Sequence, residues 1–274
     1  MKTRIISGVL GSTIVAAMLI VGQYVPIVYN ILVSLVVAIC VYEIFAARGI
    51  EKKYQILIPS AVFALFMPIL FSVGYWNILA AAYPLAMFIV LISSPDSVKF
   101  SEVAFALTTT SVITLGFGTI VFMCDNNREN SLFYIMMSLV IPWVADAGAY
   151  FVGSLMGKHK LCPKISPKKT VEGAVGGLAA GVLGALLLSF IFQSFVFKDS
   201  EQVQYLSVVI MALLGGVVSI IGDLSFSTIK RSCHIKDYGS IIPGHGGILD
   251  RCDSVIFTAP FIALFIEYFP ILAK

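Results

Sequence analysis

Residues 131–153 read SLFYIMMSLVIPWVADAGAYFVG, an apolar run broken by one charged residue, Asp146. A helix needs about 20 apolar residues to cross the hydrocarbon core of a bilayer, and this run has that length. Lipid offers no partner to backbone N–H and C=O groups, so a spanning segment of this kind is expected to be helical. Similar runs lie near 5–22, 25–47, 55–73, 77–93, 102–123, 171–197, 204–222 and 254–272. The expected fold is therefore an all-α polytopic membrane protein with about nine transmembrane helices.

Composition agrees. Hydrophobic residues make up 59% of the 274 positions and charged residues 12%, and mean hydropathy is +0.97. Soluble domains carry roughly a quarter of their residues as charges. The first run follows Lys2 and Arg4, as in a secretory signal, but has no convincing small-residue cleavage site and is followed at once by a second run. It is expected to stay in the protein.

With the N-terminus in the cytosol, 15 of the 18 Lys and Arg fall on the cytosolic side; the outer side keeps Arg128, Lys198 and Lys274. That asymmetry predicts an inner (cell) membrane protein with both large polar segments, 154–170 and 223–253, facing the cytoplasm. The net charge of +3 gives no sign of nucleic-acid binding; the cations gather at a membrane face. The five cysteines form no CxxC pair and read as structural or incidental thiols. Two regions are expected: N-terminal spans over 1–130 as a lipid-side scaffold, and a catalytic region over 131–274.

Charges inside spans are costly and point to function. Asp146 shares a helical face with Tyr150 and Gly153. It reads either as packing glue or as a metal or substrate ligand facing a polar cavity. Glu43 reads as snorkelling or as a partner of Arg48, and Glu267 as interfacial. The loop GKHKLCPKISPKKTVEG (157–173) carries Lys158, Lys160, Lys164, Lys168 and Lys169. It reads as a lipid-headgroup anchor or as a phosphate clamp. Ser166 or Thr170 would cap the helix that follows, with Glu172 in its first turn.

The densest polar stretch is STIKRSCHIKDYGSIIPGHGGILDRCD, residues 227–253. If the preceding helix continues, Asp223, Ser227, Lys230 and Arg231 share one face. Gly239, Pro243, Gly244, Gly246 and Gly247 then break it, and such glycines permit positive φ and close approach of backbone to a ligand. Asp250, Asp253 and Ser254 would face together as the last span begins. Carboxylates beside cations, with glycine-rich backbone between, suit magnesium-dependent nucleotide chemistry. Magnesium takes one or two carboxylates plus substrate phosphates, and Lys and Arg complete the neutralisation. His159, His234 and His245 have no zinc-ligand spacing. His245 reads as a general acid/base, a phosphate donor or a structural hydrogen bonder.

The run Ser227-x-Ile229-Lys230-Arg231-x4-Lys236-Asp237-x-Gly239-x2-Ile242-Pro243-x-His245-Gly246-Gly247-x2-Asp250-Arg251-x-Asp253 resembles the signature of phosphatidate cytidylyltransferases (CDP-diacylglycerol synthases). PWVADAGAYFVG and the lysine loop resemble that family in order and spacing, so the likeness covers roughly 140–254. It implies transfer of CMP from CTP to phosphatidic acid with magnesium, with room for a second cation, by a homodimer in the bilayer. On that resemblance Asp223 and Asp250 are the first candidates for the metal, with Asp146 and Asp253 behind them. Lys230, Arg231, Lys236 and Arg251 would neutralise the triphosphate. Ser227, Gly246, Gly247, Lys158, Lys160, Lys168 and Lys169 would bind substrate, the lysines at the phosphatidate head group. Spans six to nine would converge on one composite site. Two positions depart from the family pattern: Phe226 stands where an acidic residue is common, and Val171 where a tryptophan is. The rivals are a CTP-dependent polyprenol kinase, an archaeal-lipid cytidylyltransferase and, from another class, a transporter built on broken helices. The DGxxAR…GxxxDxxxD pattern of CDP-alcohol phosphotransferases is absent.

Overall fold

A computed structural model describes residues 21–25, 27–198, 200–241 and 246–273. The first expected span, 5–22, lies outside the described residues but for its last two positions. Seven described helices are long and apolar enough to cross a bilayer. They are α1 (Ile27–Arg48), α2 (Tyr54–Ser72), α3 (Trp76–Ser93), α4 (Phe100–Asn126), α5 (Ser131–Met156), α6 (Val171–Phe192) and α7 (Tyr205–Ser232). The boundaries of α1 to α5 follow the apolar runs to within three residues, since the same length of hydrocarbon sets both. Helix α6 ends before its run does, and α7 continues past its run into the polar stretch.

The C-terminal run differs from its expectation. A short α8 (Leu249–Cys252) is followed by a turn at Asp253 and Ser254. Then comes α9 (Val255–Tyr268), with 14 residues. At 1.5 Å per residue that helix is roughly 21 Å long, shorter than the hydrocarbon core. It ends where Phe269 precedes Pro270, because a residue before proline disfavours the α region; Phe269 has φ −131° and ψ 83°. The turn also interrupts the single helical face expected for Asp250, Asp253 and Ser254.

The basic loop has regular structure. Strand β1 (Lys160–Cys162) pairs antiparallel with β2 (Ser166–Thr170). A second two-stranded pair joins β3 (Gln202–Val203) to β4 (Leu272–Ala273). The helical class stands, with these two small ribbons added.

The chain forms two compact units, residues 1–132 with 230–252, and residues 133–229 with 253–274. The glycine-rich stretch thus groups with the N-terminal helices. In the first unit α2 packs on α1, α3 and α4, and α1 on α4. Polar side chains tie these apolar helices: the Asn30 amide donates to Ser72 Oγ at 2.7 Å, and Ser72 donates to Asp125 at 2.6 Å. Ser60 and the Tyr83 hydroxyl share a hydrogen bond at 2.9 Å. Hydrogen bonds between helices are a common means of association where lipid removes the hydrophobic drive.

In the second unit α5 and α6 meet along small residues. A Cβ on Gly173 would stand 2.8 Å from the Ala149 carbonyl oxygen, and one on Gly177 would stand 2.7 Å from that of Ala145. Backbones come this close only through small residues. The seam fixes the rotation of α5, and with it the direction in which Asp146 points. Gly177→Leu should force the helices apart at a cost of about 1–3 kcal/mol. A thermal melt in detergent should then show a transition several degrees lower.

Candidate active site

Charged residues of the two polar segments gather in each unit. In the second unit a cavity of about 440 Å³ is lined by Asp146, Tyr150 and Ser154 of α5, the hairpin residues Lys160, Lys168 and Lys169, and Asp223 of α7. Ala149, Ala174 and Ile220 supply apolar wall. Lys169 forms an ion pair with Asp223 Oδ2, and the Ser227 hydroxyl donates to Asp223 Oδ1 at 3.3 Å. Ser227 lies one turn beyond Asp223 because α7 continues through Ser232, as the sequence leads one to expect.

The hairpin that carries the lysines is fastened at its base. Thr170 caps α6 by accepting the Gly173 N–H at 3.1 Å. Glu172 accepts the N–H groups of Lys158 and His159 at 3.1 Å and meets His159 Nδ1 at 2.6 Å. The Lys158 side chain is exposed; its backbone serves this clasp. Of the two expected caps, Thr170 is the one used.

In the first unit, Lys230 Nζ lies 2.9 Å from Asp250 Oδ1. Asp250 Oδ2 accepts the N–H groups of Tyr238 at 2.8 Å and Gly247 at 3.0 Å. The side chains of Lys230 and Asp250 are 11% and 3% exposed. Lys230 also sits over the Tyr238 ring, 5.3 Å from its centroid. Arg231 donates to the Ile235 carbonyl at 3.2 Å. Lys236 and Arg251 are exposed. Gly246 has φ +87°, a conformation natural to glycine. His245 lies outside the described residues.

The four candidate metal ligands have different surroundings. Asp146 and Asp223 line the same cavity, with the Ser254 hydroxyl 3.5 Å from Asp146. Asp250 has both oxygens engaged by a lysine and two amides. Asp253 is buried and accepts the Ser254 N–H at 2.9 Å. Among the described residues no three or more His, Cys, Asp or Glu gather as a metal cage. Asp146 and Asp223 on one cavity wall are hard oxygen donors, the kind magnesium takes one or two of while filling its shell with substrate oxygens and water. A metal there would share Asp223 with Lys169 and Ser227.

Glu43 overturns its expected role. It does not snorkel or pair with Arg48, whose guanidinium lies over the Phe105 ring at 5.9 Å. It is 2% exposed and accepts the N–H groups of Ile248 at 3.0 Å and Leu249 at 2.8 Å. Its place inside a span was the one signal available in sequence. Phe226, the departure from the family pattern, is 2% exposed and packs edge-on against Phe257, with centroids 6.2 Å apart.

The cytidylyltransferase family model matches residues 2–269. The chain belongs to this family. Among curated members it is 33% identical to the phosphatidate cytidylyltransferase of Bacillus subtilis (strain 168), over 98% of each chain. It is 33% identical to that of Staphylococcus saprophyticus over 96% of this chain and 97% of the relative. The phosphatidate cytidylyltransferase of Staphylococcus aureus (strain COL) is 31% identical over the same shares. The family match therefore reaches well beyond residues 140–254, into N-terminal spans that the motifs do not cover.

In this cytidylyltransferase Phe226 is buried and packs on Phe257, so a carboxylate there would be placed against an aromatic ring. Phe226→Asp should cost about 3–5 kcal/mol from the lost ring alone, with further loss from the buried charge. A large fall in melting temperature, measured in detergent, is the expected outcome.

Proposed function

We propose that the chain transfers the CMP group of CTP to phosphatidic acid, forming CDP-diacylglycerol and pyrophosphate. The observation that carries this reading is the cavity of the second unit. Its wall is apolar along α5 and α6, and its polar part holds Asp146, Asp223 and three lysines. A lipid bearing a phosphate head group matches that division.

An oxygen of the phosphatidate monoester bonds to the α-phosphorus of CTP. The bond from that phosphorus to the α,β-bridging oxygen breaks, and pyrophosphate leaves with the electron pair. The attacking group is already anionic, so no nucleophilic side chain is required. Lys160, Lys168 and Lys169 neutralise the lipid phosphate and hold it in place; positioning and charge neutralisation supply most of the catalysis in reactions of this type. Lys169 is also ion-paired with Asp223, which ties the lipid-phosphate cations to that carboxylate. Lys236 and Arg251, exposed in the first unit, are assigned to the triphosphate, with Lys230 and Arg231 behind them. Magnesium, held by Asp146 and Asp223, would supply further neutralisation at the phosphate oxygens.

The distribution of Lys and Arg supports a cytoplasmic active face in the inner membrane, where CTP is available. A homodimer is proposed on the family resemblance. The rivals differ in what reaches the lipid. With purified protein, CTP labelled in the cytidine and phosphatidic acid, label should appear in CDP-diacylglycerol when magnesium is present. Transfer of the γ-phosphate alone would point to a lipid kinase. Asp223→Asn should lower turnover roughly 10²–10³-fold, as loss of one charge-stabilising group does elsewhere, with the protein still folded. Near-normal turnover would remove Asp223 from the site.

A further inference from the structure

Glu43 is a carboxylate in the middle of an apolar sequence, in a helix far along the chain from the polar stretch, yet it is 2% exposed. Burying such a group is costly unless it is hydrogen-bonded. Its two oxygens accept the successive N–H groups of Ile248 and Leu249. The N–H just before these, from Gly247, goes to Asp250. Two carboxylates therefore take three consecutive amides, and Asp250 also takes Tyr238 on the incoming side of the loop.

The glycines follow from this arrangement. A Cβ on Gly239 would stand 2.6 Å from Glu43 Oε1, and one on Gly247 would stand 2.5 Å from Oε1 and 2.6 Å from Oε2. Neither carries a positive φ among the glycines that do. Their lack of a side chain makes room for the carboxylate. Both arms of the loop close on Glu43, and the exposed cations Lys236 and Arg251 lie just outside the clamped positions.

We propose that Glu43 is a positioning residue for the nucleotide: it holds the amides of residues 248 and 249, with Gly239 and Gly247 packed against it, so that the cations of this stretch are fixed for the triphosphate. This rests on the reading that those cations receive CTP. Glu43 itself touches no substrate.

Glu43→Gln keeps the size of the side chain but turns an N–H donor toward one of the two amides. In the full-length protein the KM for CTP should rise roughly tenfold or more, the order set by leaving a buried donor unpaired. The KM for phosphatidic acid should stay put. Hydrogen–deuterium exchange should quicken in the peptide containing Gly247–Leu249. Equal rises in both KM values with a falling melting temperature would mark a merely structural role and overturn the proposal, as would unchanged exchange. A second comparison does not depend on that variant folding. Gly247→Ala should impair the enzyme, and adding Glu43→Asp, which draws the carboxylate back by one methylene, should restore part of the loss. Losses that simply multiply would overturn the clamp. If the wild-type protein transfers no CMP, the functional reading fails, while the exchange measurement still reports on Glu43.

Discussion

The ion pair between Lys169 and Asp223 organises the second unit. Asp223 sits on α7 in a span that is otherwise apolar up to that point, with its side chain 19% exposed, and a carboxylate drawn partly out of water needs a partner. Lys169 supplies it from the end of the hairpin, so the basic loop is bound to a helix 54 residues away in sequence. Everything that steadies the hairpin then steadies the cavity. Thr170 ends the strand and begins α6, Glu172 gathers the amides of Lys158 and His159, and the small-residue seam sets α5 so that Asp146 faces the same space.

The glycine-rich stretch of the first unit shows a different use of charge. Glycines at 239, 246 and 247 invite the reading that backbone must approach a bound ligand. At 239 and 247 the group approached is the protein's own Glu43. Gly246 alone of the three needs glycine for its dihedral angle. Asp250, a prime metal candidate by motif, has its oxygens occupied by Lys230 and two amides, which makes it the loop's organiser. Buried lysine and carboxylate so paired also resist single substitutions, because each leaves the other charged and uncompensated.

The helical class, the positions of the seven described spans, the extension of α7 past Asp223 and the Thr170 cap were legible in the sequence. All rest on local rules: length against bilayer thickness, helical periodicity and capping chemistry. The charges themselves were legible too, since they mark themselves in so apolar a chain. What was not legible is which charge meets which. Asp223 with Lys169, Asp250 with Lys230 and Glu43 with the Ile248 and Leu249 amides are separated by 54, 20 and 205 or 206 positions. No periodicity encodes such separations. Phe226 is similar: sequence shows an irregularity, and the ring of Phe257 gives its reason.

The amino-acid sequence by itself determined that this protein lives in lipid, because its long apolar runs leave backbone groups no partners but their own. It also determined the inventory of charges available for phosphate chemistry. The tertiary structure decided how those charges are used: Asp146 and Asp223 line a cavity, the latter paired with Lys169, and Asp250 and Glu43 hold a loop. That choice depends on distances across the fold, which set whether a carboxylate finds a lysine, a hydroxyl or a backbone amide.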